Sequence, residues 1–350
     1  MPEPGDPQSR DDEPQNGSQE PERTSGISRV AGVSPEDERH ILESAKENFD
    51  HISGKSAILL GKKFEIDPLE KDKTSEQREL INLILSKMKG FVEQYGGKYV
   101  DITENHIHIL DPQKADSELQ TALKEQKIPW ANCAPSSQLI YMFDGGNILQ
   151  LARGLVHETL HFESFNSIEP DPSTAGLRVR RAGVGIANYE KPDEVRIYFE
   201  FVLEAIIEEL SKRFDERYFN DMPVLNEELN KRNKAREFFG KEFSKNGFKD
   251  ADVSSMVNQM AAVVNDSGEE KIDFYAYRED RQRLNDIMAD IQAKNSDQFK
   301  SAEDVFSFFA NATMAGRLLP MARLIEKTYG KGFFRKLGEA SKGIRAKGLK

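Results

Sequence analysis

The chain has 350 residues, with 49 basic and 60 acidic side chains, a formal net charge of −11 and a pI of about 5.3. The charge balance argues against general attraction to nucleic acid, and no apolar run approaches the roughly 20 residues that cross a membrane. The single cysteine, Cys133, excludes an internal disulfide framework and fits a reducing compartment. The N-terminus lacks the basic start and apolar stretch of a secretory signal. We therefore expect a cytoplasmic protein with no nucleic-acid or membrane partner.

Residues 1–33 are rich in Pro, Glu, Asp, Gln and Ser, and they hold almost no large apolar side chains. A segment of this composition cannot bury enough surface to offset its ordering entropy. The pattern predicts a disordered acidic tail. Order is expected to begin near Ser34, where a capping serine, a proline and early acids indicate a helix start.

The region from 34 to 220 mixes strand and helix patterns. Alternating or short apolar runs predict strands at 56–66, 137–143 and within 176–188, and a hairpin from the segments 98–103 and 106–110. Apolar spacing of three and four residues predicts helices at 75–95, 147–165 and 197–214. The strands are expected to form one small, mainly antiparallel sheet beside the helix at 147–165.

The region from 221 to 350 is predicted to be all helical and ends in a basic stretch. Helical spacing without strand signals covers 222–246, 251–265, 269–294, 302–316 and 318–340. The sequence thus predicts three parts: the tail 1–33, a mixed core 34–220 and a helical region 221–350.

The helix at 147–165 carries the most informative motif, His157-Glu158-Thr159-Leu160-His161. Residues four apart on a helix lie about 6 Å from one another on one face, so both imidazoles can reach a single zinc ion. The apolar stripe of this helix falls on the opposite side. Glu158 is then placed to act as general base on water activated by zinc.

A catalytic zinc site needs a third protein ligand and an open fourth position. No histidine follows His161, so the remaining choice is a carboxylate. The helix at 197–214 offers several. Its acidic residues are Glu200, Glu204 and Glu208 on one face and Glu209 on the opposite flank.

On these two helices the chain resembles the gluzincin zinc metallopeptidases, in which HExxH lies on one helix and a glutamate on a later helix completes the site. The segment Leu203-Glu204-Ala205-Ile206-Ile207-Glu208 is similar to the later helix of that group. The resemblance implies that Glu204 is the third ligand, with Glu208 or Glu209 the next choices. It also implies that Glu208 accepts a hydrogen bond from the second N–H of a ligand histidine.

The chain departs from the group at the residue that stabilises the oxyanion, because no downstream histidine exists. A tyrosine would have to substitute. The candidates are Tyr189, Tyr198, Tyr218, Tyr275 and Tyr277.

The resemblance implies an α+β fold with a zincin-like core, in which the HExxH helix lies beside the small sheet, followed by the all-helical C-terminal region. It implies hydrolysis of peptide bonds in a peptide or protein substrate, with Zn²⁺ as cofactor. The alternative is a non-catalytic zinc protein that binds a partner through its helical C-terminal half. Two further histidines, His106 and His108, are expected to form a surface pair, or else to bind metal or line a cleft.

Overall fold

The computed structural model describes residues 23, 25–50, 56–59, 62–125, 130–134, 138–172, 177–191, 194–266, 269–340 and 343–346. Over these residues the chain adopts a mixed α+β fold in which helices predominate. None of the helices described is long and apolar enough to cross a membrane.

The first half of the chain alternates short strands with helices. Its strands are β1 (Arg29–Val30), β2 (Ser56–Leu59), β3 (Lys62–Glu65), β4 (Ile107–Leu110), β5 (Ala131–Ala134), β6 (Leu139–Phe143), β7 (Asn166–Pro170), β8 (Leu177–Ala182), β9 (Gly185–Lys191) and β10 (Glu194–Tyr198). Its helices are α1 (Pro35–Asp50), α2 (Ser75–Gln94), α3 (Ser117–Lys124), α4 (Ile148–Glu163) and α5 (Glu200–Tyr218).

The second half is mainly helical but contains a hairpin. Its helices are α6 (Asn226–Lys245), α7 (Asp250–Val257), α8 (Arg278–Lys294), α9 (Ala302–Met314), α10 (Leu318–Tyr329) and α11 (Phe333–Ala340). Its strands are β11 (Met260–Asp266), β12 (Glu269–Phe274) and β13 (Gly343–Ala346). The prediction of an all-helical region is therefore wrong at 260–274, where β-branched residues on β11 pair with β12 in an antiparallel hairpin, and at 343–346, where β13 pairs antiparallel with β10.

The predicted single sheet is also wrong, because the strands belong to separate sheets. A six-stranded sheet has the order β1-β7-β8-β9-β10-β13, with β1 parallel to β7 and the other pairs antiparallel. A three-stranded sheet has the order β4-β6-β5, and β2 and β3 form a separate antiparallel pair. The segment 56–66 is thus two strands rather than one, with residues 60–61 outside the described chain.

The hairpin predicted from 98–103 and 106–110 does not form. Residues 98–103 are irregular, although Val100 and Ile102 are buried, and β4 pairs in parallel with the distant strand β6. The alternation in 98–103 therefore reflects burial on one side of an extended segment, without a strand partner.

Ordered structure begins before Ser34, which corrects the predicted end of the tail; residues 1–22 lie outside the described chain. Residues 25–33 include β1, and Ile27 and Val30 are buried with Ile168 of β7 in a small apolar cluster. Parallel pairing with β7 supplies backbone hydrogen bonds that the composition of this segment did not indicate.

One hydrophobic cluster joins the two halves of the chain. It extends from Phe49 to Leu337, and it includes buried side chains of α2, α4 and α5 together with side chains of α8, α9 and α10. Helix α5 packs against both α4 and α8. The region after 220 therefore shares the core of the region before it, and the two halves hold α4 and α5 in place together.

Candidate metal centre

Helix α4 presents one apolar and one polar face. Asn147 caps its N-terminus by accepting hydrogen bonds from the N–H groups of Leu149 and Gln150. The apolar side is buried, whereas His157 and His161 lie on the other side and are only partly exposed. A Cβ at Gly154 would lie 3.5 Å from Cβ of Ala131 on strand β5, an ordinary van der Waals distance, so this part of α4 packs against the sheet.

His157, His161 and Glu204 come together where α4 crosses α5. The two Nε2 atoms are 3.2 Å apart, and Oε2 of Glu204 lies 3.5 Å from Nε2 of His157 and 3.3 Å from Nε2 of His161. Among the residues that the structure describes, these three form the one group of His, Cys, Asp and Glu side chains that could hold a metal ion.

The size of this triangle fits zinc. Tetrahedral zinc with ligands at about 2.0–2.1 Å has ligand atoms about 3.3 Å apart, which matches the three distances observed. Two imidazole nitrogens and one carboxylate oxygen are also a donor set that zinc uses in catalytic sites, with the fourth position left for water or substrate.

Glu208 orients the first of the two histidines. Its Oε2 lies 2.9 Å from Nδ1 of His157, and its Oε1 accepts a hydrogen bond of 2.8 Å from the backbone N–H of Ala276. A carboxylate at Nδ1 favours a proton there, so in the neutral imidazole the lone pair would lie on Nε2, the atom that faces His161 and Glu204. The contact that the resemblance assigned to Glu208 is present in the structure.

Without a metal, protons hold the triad together. Burial opposes the charged form of His157, but hydrogen bonds with Glu204 and Glu208 outweigh it and hold the pKa of His157 well above 6.5. Burial likewise opposes charge on Glu204, yet the two histidines hold the pKa of that carboxyl well below its usual range. The pKa of Glu208 falls to about 2, because contact with His157 overcomes the effect of burial. Both carboxylates therefore stay ionised and available as ligand and acceptor at neutral pH.

Glu158 and Tyr277 border the triad. Glu158 is buried on α4, and its charge acts on both His157 and Tyr277. The Tyr277 ring lies nearly parallel to the His157 ring with centroids 6.1 Å apart, and the negative charge of Glu204 acts on its hydroxyl. Burial, followed by the charges of Glu204 and Glu158, raises the pKa of Tyr277, so the hydroxyl stays protonated and can donate.

The other tyrosine candidates have different roles. Tyr189 donates to the backbone carbonyl of Val179, and Tyr275 donates to the buried carboxylate of Asp215. Tyr218 packs against Phe91 and Phe214. Tyr277 is the one of the five candidates that the structure places against a triad residue.

The segment after β12 supplies contacts that the sequence did not indicate. We call residues 273–277 the positioning arm. Asp273 accepts a hydrogen bond of 2.8 Å from Arg153, one turn before His157, while Ala276 binds Glu208 and Tyr277 covers His157. A role for Arg153 near the site could have been predicted from the sequence, because this residue shares the polar face of α4 with both histidines. The contact made by the positioning arm could not have been predicted, since the backbone N–H of Ala276 is present in any non-proline residue.

The N-terminal segment forms hydrogen bonds with the C-terminal end of α4. We call residues 23 and 25–30 the N-terminal strap. The guanidinium of Arg23 donates to the backbone carbonyls of Phe162 and Glu163, each at 2.7 Å, and also to those of Ser25 and Gly26. These bonds satisfy the last carbonyls of α4 directly after His161.

Glu163 is enclosed beside this cap. It is buried on α4, and its Oε2 accepts from the backbone N–H of Val100. Burial, only partly offset by Arg23, raises the pKa of Glu163 to about 8.

The remaining candidates lie apart from the triad. Glu209 forms ion pairs with Arg213 and Arg281, and it is therefore a structural residue between α5 and α8. The expectation of a surface pair at His106 and His108 is wrong. Both are buried: His106 bonds the carbonyl of Phe49, and His108 bonds Glu70.

Comparisons of the chain with known protein families, curated proteins and solved structures find no match. The likeness to gluzincins therefore rests on the residues of α4 and α5 and on the geometry described above.

Proposed function

We propose that the chain is a zinc-dependent hydrolase of peptide bonds, with His157, His161 and Glu204 as metal ligands and Glu158 as general base. The single observation that carries this proposal is the triangle of ligand atoms with edges of 3.2, 3.3 and 3.5 Å. The contact of 2.9 Å between Glu208 and Nδ1 of His157 supports the same assignment, because it leaves Nε2 as the nitrogen that would bind the metal.

When bound, zinc would supply Lewis-acid chemistry by polarising a carbonyl and lowering the pKa of water to about 7. Glu158 would accept a proton from the attacking water and pass it to the leaving amine. Its place directly after His157 puts its carboxylate beside the ligands without making it one of them.

Tyr277 would stabilise the oxygen that gains negative charge during the attack. Its raised pKa keeps the proton on the hydroxyl, and its position over His157 puts the donor at the edge of the metal site. Tyr277 is 41% exposed, so a substrate can reach it from solvent.

The proposal is tested by measuring zinc content and peptide cleavage in the same four proteins: wild type, Glu158→Gln, Glu204→Ala and the control Glu216→Ala. Glu216 lies on α5 like Glu204, but it is exposed and pairs with Lys212. Each protein is dialysed against a weak chelator, analysed for metal, and incubated with a peptide library read by mass spectrometry.

We expect one zinc per chain in wild type, Glu158→Gln and Glu216→Ala, and none in Glu204→Ala. Cleavage should fall by at least about a hundredfold in Glu158→Gln, because general-base catalysis contributes on this scale. Full zinc occupancy in Glu204→Ala would show that the third ligand is a different residue. Zinc in wild type without cleavage of any peptide would favour the non-catalytic alternative, and folded wild type without zinc would contradict both.

A further inference from the structure

Tyr275 is the buried residue at the centre of the positioning arm. Its backbone N–H donates to the carbonyl of Gln259 at 3.0 Å. Two guanidinium groups lie against its ring: Cζ of Arg153 on α4 is 5.0 Å from the ring centroid, and Cζ of Arg281 on α8 is 5.8 Å from it. Elements from both halves of the chain therefore hold this one side chain.

The hydroxyl of Tyr275 is bound by a buried ion pair. It donates to Oδ2 of Asp215 on α5 at 2.6 Å, and Arg232 on α6 donates to the same oxygen at 2.7 Å. Both charged side chains are buried. Burial, followed by the negative charge of Asp215, raises the pKa of Tyr275, so the hydroxyl keeps its proton and remains a donor.

This ion pair is costly and incompletely satisfied. Oδ1 of Asp215 and Nε of Arg232 have no hydrogen-bond partner among the residues that the structure describes. The cost of removing both charges from water offsets most of the attraction between them, so such a pair contributes little net stability. Its effect here is on orientation, because it presents one carboxylate oxygen to the hydroxyl of Tyr275 at a fixed place.

The backbone next to Tyr275 needs an anchor of this kind. Tyr277 has a φ of 52°, in the left-handed region that residues with side chains rarely adopt. Such a backbone persists only where the surrounding contacts fix it. On one side the carbonyl of Tyr277 accepts from the N–H of Arg281 at 2.8 Å in the first turn of α8, and on the other side the anchor is Tyr275.

The anchored arm reaches the candidate metal centre through a single backbone group. Ala276 follows Tyr275 directly, and its N–H donates to Oε1 of Glu208. The other carboxylate oxygen of Glu208 lies 2.9 Å from Nδ1 of His157. Nη2 of Arg153 lies 3.8 Å from the same Oε1, so this guanidinium would take over the carboxylate if Ala276 moved away. A carboxylate turned toward Arg153 would hold the imidazole less firmly.

We infer that Tyr275 is a positioning residue of the proposed hydrolase, and that it sets the orientation of His157 through the arm and Glu208. The inference rests on the proposed function, since it requires that His157 binds a metal ion. Residues that orient a ligand histidine change metal affinity by about tenfold to a hundredfold. The ion pair beneath Tyr275 places part of this control on α6, in the second half of the chain.

The test is a double-mutant cycle of Tyr275→Phe and Glu208→Gln, with Zn²⁺ affinity measured by chelator competition. Tyr275→Phe keeps the ring and its contacts with the two guanidinium groups but removes the hydroxyl. We expect it to weaken zinc binding by about tenfold. In the Glu208→Gln background the same change should have less than about a twofold effect, because the amide nitrogen cannot accept from Nδ1 of His157 and the link is already broken.

Co²⁺ in place of zinc gives a second measurement, because its visible absorption depends on the arrangement of the ligands. The spectrum of Tyr275→Phe should differ from that of wild type. Tyr189→Phe is the matched control: Tyr189 also donates its hydroxyl, to the carbonyl of Val179, and its ring also contacts a guanidinium, with Cζ of Arg178 at 4.1 Å. This control should keep the zinc affinity and the cobalt spectrum of wild type. Circular dichroism should show the same helix content in every variant.

Three results would overturn the inference. Unchanged zinc affinity in Tyr275→Phe, with wild type binding zinc, would overturn it and leave the proposed function intact. Equal losses of affinity from Tyr275→Phe in both backgrounds would show that the hydroxyl acts on the whole protein and not through Glu208. Folded wild type without zinc would overturn the proposed function and this inference together.

Discussion

Replacing Arg23 by methionine tests whether the N-terminal strap holds the end of α4, the helix that carries the two histidines of the proposed metal centre. Arg23 makes five hydrogen bonds of 2.7–3.4 Å to backbone carbonyls, two of them on the last residues of α4. Methionine keeps similar length and apolar volume but cannot donate. The carbonyl of Phe162 retains a hydrogen bond from Asn166, whereas that of Glu163 loses the bond from Arg23.

We expect the free energy of unfolding to fall by about 2–4 kcal/mol. Leaving a buried acceptor without its partner costs about 1–3 kcal/mol, and hydrogen bonds from a charged donor are stronger than neutral ones. Part of this loss is offset, because a buried guanidinium is costly to desolvate and its burial lowers the pKa of Arg23. Zinc should also bind more weakly, since His161 lies only two residues before the capped carbonyl.

The assay is urea unfolding followed by circular dichroism, with zinc affinity from chelator competition as the second measurement. Arg29→Met is the matched control, because Arg29 lies on the same segment and is exposed. It should change the stability by less than about 0.5 kcal/mol. Equal midpoints for Arg23→Met and Arg29→Met would refute the reasoning and show that the strap contributes nothing to α4.

Three further predictions concern protons and the positioning arm. Zinc affinity should rise with pH from 6 upward, because zinc must displace a proton from His157, whose pKa is raised; calorimetry in buffers of different ionisation enthalpy should detect the released proton. Stability should fall by about 1.4 kcal/mol per pH unit between pH 4.5 and about 8, because folded Glu163 keeps a proton that the unfolded chain releases. Glu163→Gln should abolish the slope between pH 4.5 and about 6.5, below the range in which the raised pKa of His157 adds its own slope, and an unchanged slope there in urea titrations would place the titrating group elsewhere. Tyr277→Phe should lower kcat by about tenfold to a hundredfold while zinc content and KM stay the same, whereas a proportional rise in KM would indicate a role in substrate binding.

The helices of the candidate site could be predicted because their patterns are local. His157 and His161 are spaced within five residues, and the apolar stripe lies within α4 itself. The observed helix begins and ends within two residues of the predicted one. Asn147, the first residue of the predicted range, caps the helix in the structure.

The errors concern pairings between distant segments. Nothing in 98–110 indicates that β4 pairs with β6, more than 30 residues away, and the alternation there fits a hairpin equally well. The strap has tail-like composition, and a single arginine and two apolar residues anchor it to elements that the local pattern does not reveal. Composition measures what a segment can bury by itself, whereas the strap is ordered by partners that other segments supply.

The positioning arm likewise depends on partners from distant segments of the chain. Ala276 contributes only its backbone N–H, so no side-chain pattern could assign it to Glu208. The β11–β12 hairpin that carries the arm has polar residues on β12, which resembled an exposed helix in the sequence.

The distances along the chain between contacting residues have a consequence for folding. His157 and Glu208 are 51 residues apart, Glu208 and Ala276 are 68 apart, and Arg153 and Asp273 are 120 apart, while the strap reaches back 140 residues from Glu163 to Arg23. Closing such long loops costs chain entropy before any contact repays it, so the site should assemble late. A chain still emerging from the ribosome holds both histidines long before it holds the arm that orients them. The candidate centre would therefore stay incomplete during synthesis, and the proposed hydrolytic activity would arise only in molecules that have finished folding.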